Sequence, residues 1–186
     1  MAGAQKKAER EGKVIVWVDE SGFYLLPALV RTFAPRGETP ILRVRLTHDH
    51  LSAISGITAA GKLYMRVQEQ PLVSDDVVRF LKHLSRHIAG EFIVIWDGAP
   101  IHWGKPVKDF LANGGGERIH LEQLPGYAPE LNADEGIWQQ LKGVELKNIR
   151  CNHLLELRYE LRKAKERLRH RTDAIRGCIR QAGYIL

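Results

Sequence analysis

Two cysteines in 186 residues, Cys151 and Cys178, are too few and too far apart for a disulfide framework or a cysteine-built metal site. Reduced thiols and a cytoplasmic location are therefore expected. No apolar run approaches the length of a membrane span, and the first thirteen residues are polar and mixed in charge, so neither a membrane anchor nor a secretory leader is expected. No internal repeat or low-complexity tract is visible, which excludes a solenoid and a long disordered linker. Acidic residues are scarce in one region: from Lys142 to Leu186 there are twelve lysines and arginines against five aspartates and glutamates, whereas the preceding 141 residues hold sixteen against seventeen. The net charge of +6 thus sits in the last quarter of the chain, and a basic segment on a near-neutral body points to a polyanionic partner.

What remains is ordinary for one folded domain: 44% hydrophobic and 27% charged residues over a length that supports a single core. Met1 to Lys13 reads as a frayed or weakly helical lead-in. Strands are predicted over Val14–Asp19, Phe23–Leu26, Ile41–Thr47, His50–Thr58 and Lys62–Gln68, separated by turns such as Glu20-Ser21-Gly22, and this block reads as antiparallel hairpins. The period then changes. Ser74, Asp75 and Asp76 open a helix whose apolar face is Val77, Val78, Phe80, Leu81, Leu84 and Ile88, with Gly90 placed to end it. A strand to Asp97, a short helix over Lys105–Leu111 and a strand over Ile119–Leu124 follow. Helices are expected over about Glu130–Lys147, Asn152–Arg169 and Thr172–Ala182. The fold class is α/β, a mixed sheet of antiparallel hairpins then parallel strands, flanked by helices and closed by a helical C-terminal part.

Two stretches carry the chemistry. Val14 to Val18 and Phe92 to Trp96 are five-residue apolar runs rich in β-branched and aromatic residues, and each stops at an aspartate, Asp19 and Asp97. If the two strands are parallel neighbours, both carboxylates lie at the end of the sheet where α/β proteins build ligand sites. Close carboxylates repel unless a cation lies between them, and oxygen donors suit Mg²⁺ or Mn²⁺ rather than zinc. A two-metal phosphoryl-transfer centre, its ions roughly 3.5–4 Å apart, is the matching chemistry. It wants a third carboxylate, and the proline-punctuated segment Leu124 to Trp138 offers Glu130, Asp134 and Glu135.

The strings VDESGF at 18–23, WDGAPIH at 96–102 and LPGYAPELNADEGIW at 124–138 resemble the catalytic domain of mariner-like insertion-sequence transposases, in the DDE superfamily with its ribonuclease H-like fold. The resemblance runs over residues 14–186, with 142–186 as its basic helical part. It implies a metal-binding catalytic triad of Asp19, Asp97 and Glu135, two Mg²⁺ (or Mn²⁺) ions, hydrolysis of a phosphodiester at the ends of a mobile element, and strand transfer into target DNA at a TA step. Thirty-seven residues separate Asp97 from Glu135. The chain has Asn132-Ala133-Asp134-Glu135 where the family usually has Asn-Pro-apolar-Glu, and Gly98 where it tends to have Asn. Asp134 falls near the middle of the apolar stripe Leu131, Ile137, Trp138 and Leu141, which makes it the competing third ligand and one that needs a buried partner.

Glu20 and His102 are placed behind the ligands, His102 foremost as a structural histidine. His48-Asp49-His50 reads as a solvated loop, and Trp17, Trp96 and Trp138 as core. Arg158, Arg162, Lys163, Lys165, Arg167, Arg169 and Arg171 surround one helix and are candidates for contacting DNA phosphates. The resemblance further implies double-stranded DNA as partner, a homodimer, bacterial nucleoid DNA as the place of action, and an upstream helix-turn-helix domain or protein, expected because the first strand starts by Val14. A catalytically inactive remnant that only binds DNA and a generic ribonuclease H-like nuclease are the competing functions.

Overall fold

The computed structural model describes residues 2–31, 33–39, 41–43, 47–126 and 128–186. Five strands form one mixed sheet in the order β3-β2-β1-β4-β5: β1 is Val14–Tyr24, β2 His50–Thr58, β3 Leu63–Gln68, β4 Phe92–Trp96 and β5 Ile119–Gln123. The first three are antiparallel; β4 runs parallel to β1, and β5 parallel to β4. Six helices surround the sheet, α1 (Ala2–Glu11), α2 (Ser74–His87), α3 (Lys105–Ala112), α4 (Glu135–Gln140), α5 (Leu154–Arg169) and α6 (Thr172–Gln181). Among the described residues no helix is long and apolar enough to cross a membrane.

Val14–Val18 of β1 and all five residues of β4 are apolar because these strands lie mid-sheet with both faces covered. Ile15, Trp17 and Phe23 of β1, with Ile93 and Ile95 of β4, join the core under α4, α5 and α6. Val16, Val18, Phe92, Val94 and Trp96 point the other way, into a core with Val77, Phe80, Leu81 and Leu84 of α2 and Val107 of α3. The period-two alternation of side chains does this sorting. Trp17 is completed by the edge of Tyr184, 4.8 Å between ring centres, which ties the last turn of the chain to the sheet. The start of α5 is closed by His153 Nδ1, which accepts the Glu156 N–H at 3.2 Å, while the Glu156 carboxylate accepts the Asn152 N–H at 2.8 Å.

Several expectations need correction. Glu20-Ser21-Gly22 is no turn: β1 runs unbroken for 11 residues, because β2 pairs with it from Val16↔Thr58 to Tyr24↔His50 and so satisfies its backbone throughout. Of the strand expected over Ile41–Thr47, residues 41–43 and 47 are irregular, and Val44, Arg45 and Leu46 lie outside the described residues. The expected helix from Glu130 to Lys147 is three pieces, a 3-10 turn Pro129–Leu131, α4, and a π turn Leu141–Glu145. Asn132 is the break: it is extended (φ −88°, ψ 106°), and its side-chain amide donates to the Val18 carbonyl at 3.2 Å. The lead-in is a formed helix, α1.

α4 and α6 meet at Gly136. A Cβ there would lie 2.6 Å from Cys178 Cβ and 2.8 Å from its Sγ, too close for any side chain without the helices parting. Gly136→Val is expected to lower stability by about 1–3 kcal/mol, read as a lower urea midpoint at unchanged m-value; an unchanged midpoint would show that the helices separate freely.

Candidate active site

The parallel register of β1 and β4 pairs Trp17 with Ile95; carried two residues further, it sets Asp19 against Asp97. Both line one cleft of about 380 Å³ at this end of the sheet, together with Gly98, Pro125, Asn132 and Glu135. Among the described residues, none that line it is basic. The three acids sit there for different reasons. Asp19 is the last buried residue of the apolar run and faces α4, where Trp138 Nε1–H donates to its Oδ2 at 2.8 Å. Asp97 leaves the end of β4 exposed, its Oδ1 accepting the Ala99 N–H at 2.9 Å. Glu135 is the first residue of α4 and half-buried.

Burial pushes the Asp19 carboxyl up to about 7; the Trp138 hydrogen bond opposes this, while the negative charges of Glu135 and Glu20 add to it. Asp134 is a different object. It is fully buried outside the cleft, and its Oδ2 accepts a hydrogen bond from the Ser55 hydroxyl. Its backbone N–H donates to Asn132 Oδ1 at 3.2 Å, and its Oδ1 has no hydrogen-bond partner among the described residues. Burial raises its pKa well above the ordinary carboxylate range, and the charges of Asp19, Glu20 and Glu135 push the same way. A neutral acid at this position resolves the problem posed by its place in the apolar stripe.

On the other face of β1, Glu20 meets His102. The imidazole is fully buried, stacked parallel on Trp96 with ring centres 4.3 Å apart. Its Nε2 lies 3.0 and 3.1 Å from the two Glu20 oxygens, and its Nδ1 lies 3.0 Å from Asp97 Oδ1 and 3.1 Å from the Asp97 carbonyl. Both ring nitrogens face acceptors only, so satisfying both requires two N–H groups and a charged ring. Burial opposes that charge most strongly, but the Glu20 hydrogen bond and the neighbouring Glu20 and Asp97 charges outweigh it and raise the pKa. The ligand-type atoms of Glu20, Asp97 and His102 all lie within 4.8 Å of one another.

The family model for the DDE superfamily endonucleases matches residues 14–158, most of the chain. The chain belongs to the DDE superfamily. Its fold is shared with solved Mos1 structures: the Mos1 transposase catalytic domain with raltegravir and Mn (TM-score 0.60, 13% identity, covering 100% of this chain and 92% of that one), a pre-cleavage Mos1 transpososome (0.64, 14%, 97% and 60%) and the Mos1 strand transfer complex (0.61, 14%, 100% and 61%). The chain therefore spans about three fifths of the transposase chain in those assemblies. The likeness shows the ribonuclease H-like fold that the motifs implied. Comparison with curated proteins gave no match.

Within this DDE superfamily domain, sequence reasoning missed Ser55, Trp138 as a polar partner, and Lys142. Lys142 Nζ donates to Ser21 Oγ at 2.7 Å and lies 5.3 Å from the centre of the Phe23 ring. Burial lowers its pKa, and the charges of Glu135 and Asp19 partly restore it. Spacing held the clue, since Glu135, Trp138 and Lys142 recur at three and four residues. The basic positions on and beyond α5 are less available than their number implies: Arg158 pairs with Glu69, Lys163 with Glu160, Lys165 and Arg169 with Glu166, and Arg167 and Arg171 with Glu145.

Two outcomes follow from the shifted acids. Below about pH 7 Asp19 holds a proton that a metal must displace, so Mn²⁺ affinity, titrated by electron paramagnetic resonance, is expected to fall as pH drops from 7, by up to about tenfold per unit. A flat profile would show that Asp19 is not a ligand. For Asp134, the folded state keeps its proton above the unfolded value of about 3.9, so stability is lost as pH rises from there toward the folded pKa. Asp134→Asn removes that loss. Its unfolding free energy relative to the parent should be higher at pH 7 and converge on it near pH 4; a pH-independent difference would contradict a neutral Asp134.

Proposed function

We propose that residues 14–186 form the catalytic domain of a DNA transposase, with Asp19, Asp97 and Glu135 as the ligands of divalent metal. The observation that carries this reading is that these three acids, distant in sequence, line one open cleft free of lysine and arginine, in a family of endonucleases. Hard carboxylate oxygens on a cleft wall fit Mg²⁺ or Mn²⁺, and Asp19, its pKa raised by burial first and by the charges of Glu135 and Glu20 after it, gains from a cation beside it. Mos1 paired-end complexes solved with Mn and with Mg support the choice of ion. A pair of such ions supplies charge neutralisation for both oxygens of an in-line displacement at phosphorus.

The remaining residues position this apparatus. Trp138 fixes the Asp19 carboxylate. His102, anchored by Glu20 and stacked on Trp96, holds Asp97 from behind. Asp134 keeps its proton and braces Asn132 and the start of α4, so that Glu135 rather than Asp134 turns toward the cleft. The reaction is hydrolysis of a phosphodiester at an element end followed by attack of the freed 3′-hydroxyl on target DNA, at a TA step. The Mos1 transposase paired-end complex holds a left transposon end, which supports transposon-end DNA as the partner here; the reading adds a homodimer, a helix-turn-helix domain or protein that recognises the ends, and the cytoplasm as the site of action.

The test is metal-dependent cleavage of duplex DNA carrying the element's inverted repeats, with the end-recognition protein supplied. Asp97→Asn and Glu135→Gln are each expected to lower cleavage by roughly two to three orders of magnitude, while Asp134→Asn stays close to the parent. Loss of activity in Asp134→Asn but not in Glu135→Gln would reassign the third ligand. Failure of the parent in both Mg²⁺ and Mn²⁺ would mark a non-catalytic remnant, and cleavage of RNA–DNA hybrids without strand joining a ribonuclease H-like nuclease.

A further inference from the structure

A second groove lies at the β3 edge of the sheet, two strands away from Asp19, where β3 begins and α2 and α5 end. Its volume is about 610 Å³, and Lys62, Tyr64, His83, His87, Lys165 and Arg169 line it. None of the residues lining it is acidic. His83 and His87 are one turn apart on α2, their ring centres 4.3 Å from each other and about equally far from Tyr64, 6.1 and 6.0 Å. His87 Nδ1–H donates to the His83 carbonyl at 2.8 Å. Across the groove, Lys165 and Arg169 share the single carboxylate of Glu166, at 3.6 and 3.2 Å, which leaves the pair with a net positive charge.

A histidine pair at this spacing is a familiar metal-ligand geometry, but its surroundings are wrong for a cation. Burial, and then the positive charges of His87, Arg66, Arg86 and Lys165, depress the pKa of His83. Those positive charges, together with Lys62 and Arg169 on the groove wall, repel a divalent ion and attract an anion. The groove is wide, open and polar, unlike a pocket for an apolar small molecule. Its lysines and arginine come from two separate places, the turn before β3 and the end of α5, so they can meet a charged backbone lying across the surface. Tyr64, half-buried between the two histidines, leaves no broad aromatic face for stacking bases.

We propose that this groove binds the phosphodiester backbone of duplex DNA, without sequence choice, outside the catalytic cleft. The proposal rests on the transposase reading only for its choice of polyanion. Lys62 and Lys165 contribute point-charge contacts to phosphates, and Arg169 a third.

The test is made in EDTA, where cleavage plays no part. Acetylation of lysines on the parent protein, mapped by mass spectrometry, is expected to show Lys62 and Lys165 protected by a random-sequence duplex and not by inorganic phosphate. Anisotropy of the labelled duplex across about 50–200 mM salt should show Lys62→Glu/Lys165→Glu binding at least about tenfold weaker, with a salt slope shallower by about two. Absence of protection on the parent overturns the proposal, whatever the variant does. So does protection by inorganic phosphate alone, which would make this a small-anion site. Protection without any cleavage in the activity test leaves the groove standing and removes the transposase reading; cleavage without protection does the reverse.

Discussion

Five acids, Asp19, Glu20, Asp97, Asp134 and Glu135, crowd the end of the β1–β4 pair, and the surrounding structure is arranged around the cost of keeping them together. Unscreened carboxylates this close, in a partly buried place, cannot all remain charged without partners. Each is handled differently. Burial favours the protonated form of Asp134, and a serine hydroxyl donates to it. Glu20 is given an imidazolium. Asp19 receives an indole N–H, a neutral donor that orients without neutralising. Asp97 is shared between His102 and solvent, and Glu135 is left beside a lysine that hydrogen-bonds Ser21 instead. Glu20 and Asp134, which face away from the cleft, are compensated more than the acids that face into it, a distribution that agrees with the proposed metal site.

Strand alternation makes this division possible. Asp19 and Glu20 are adjacent in the chain but emerge on opposite faces of β1, one toward α4 and the other toward the turn that carries His102. One peptide unit of β1 therefore feeds two shells of the same centre. Asp97, lying past the end of β4, is reached from both sides: its carboxylate lines the cleft, while its carbonyl and Oδ1 meet His102. The stacking of His102 on Trp96 then couples the orientation of Asp97 to the packing under α2, so a change in that core would be felt at the site without touching a ligand.

The sequence disclosed the parts of this arrangement that depend on local pattern. Apolar runs ending in Asp19 and Asp97 announced buried parallel strands, and the helical wheel placed Asp134 in the core. What it hid depends on partners far along the chain. Glu20-Ser21-Gly22 looks like a turn, and only the register with β2 makes it strand. Glu130 to Lys147 has helical composition, yet Asn132 is drawn out of the helix by the Val18 carbonyl, a partner no local rule reveals. His102 is 82 residues from Glu20, so its ion pair was invisible from spacing. The family resemblance supplied Glu135, and the cleft explains it: helix α4 begins one residue after Asp134, which separates the two acids into opposite environments.

An acidic cleft creates a difficulty that the rest of the molecule has to answer. On the proposed transposase reading, the three carboxylates would repel the phosphates of DNA before metal binds, so the cleft alone would not collect that substrate. Attraction would then come from elsewhere on the surface, far enough away that lysines do not enter the cleft and compete with metal for the carboxylates. The charge of this chain is laid out in that way. Acids collect where the parallel strands end, whereas Lys62, Lys165 and Arg169 gather at the β3 edge of the same sheet. Internal pairing on and beyond α5 trims the remaining excess, since Glu145 alone meets both Arg167 and Arg171. On that reading, a sheet with acids where its parallel strands end and bases at its β3 edge can bind a polyanion at the edge without filling the proposed cation site, which a uniformly basic surface could not do.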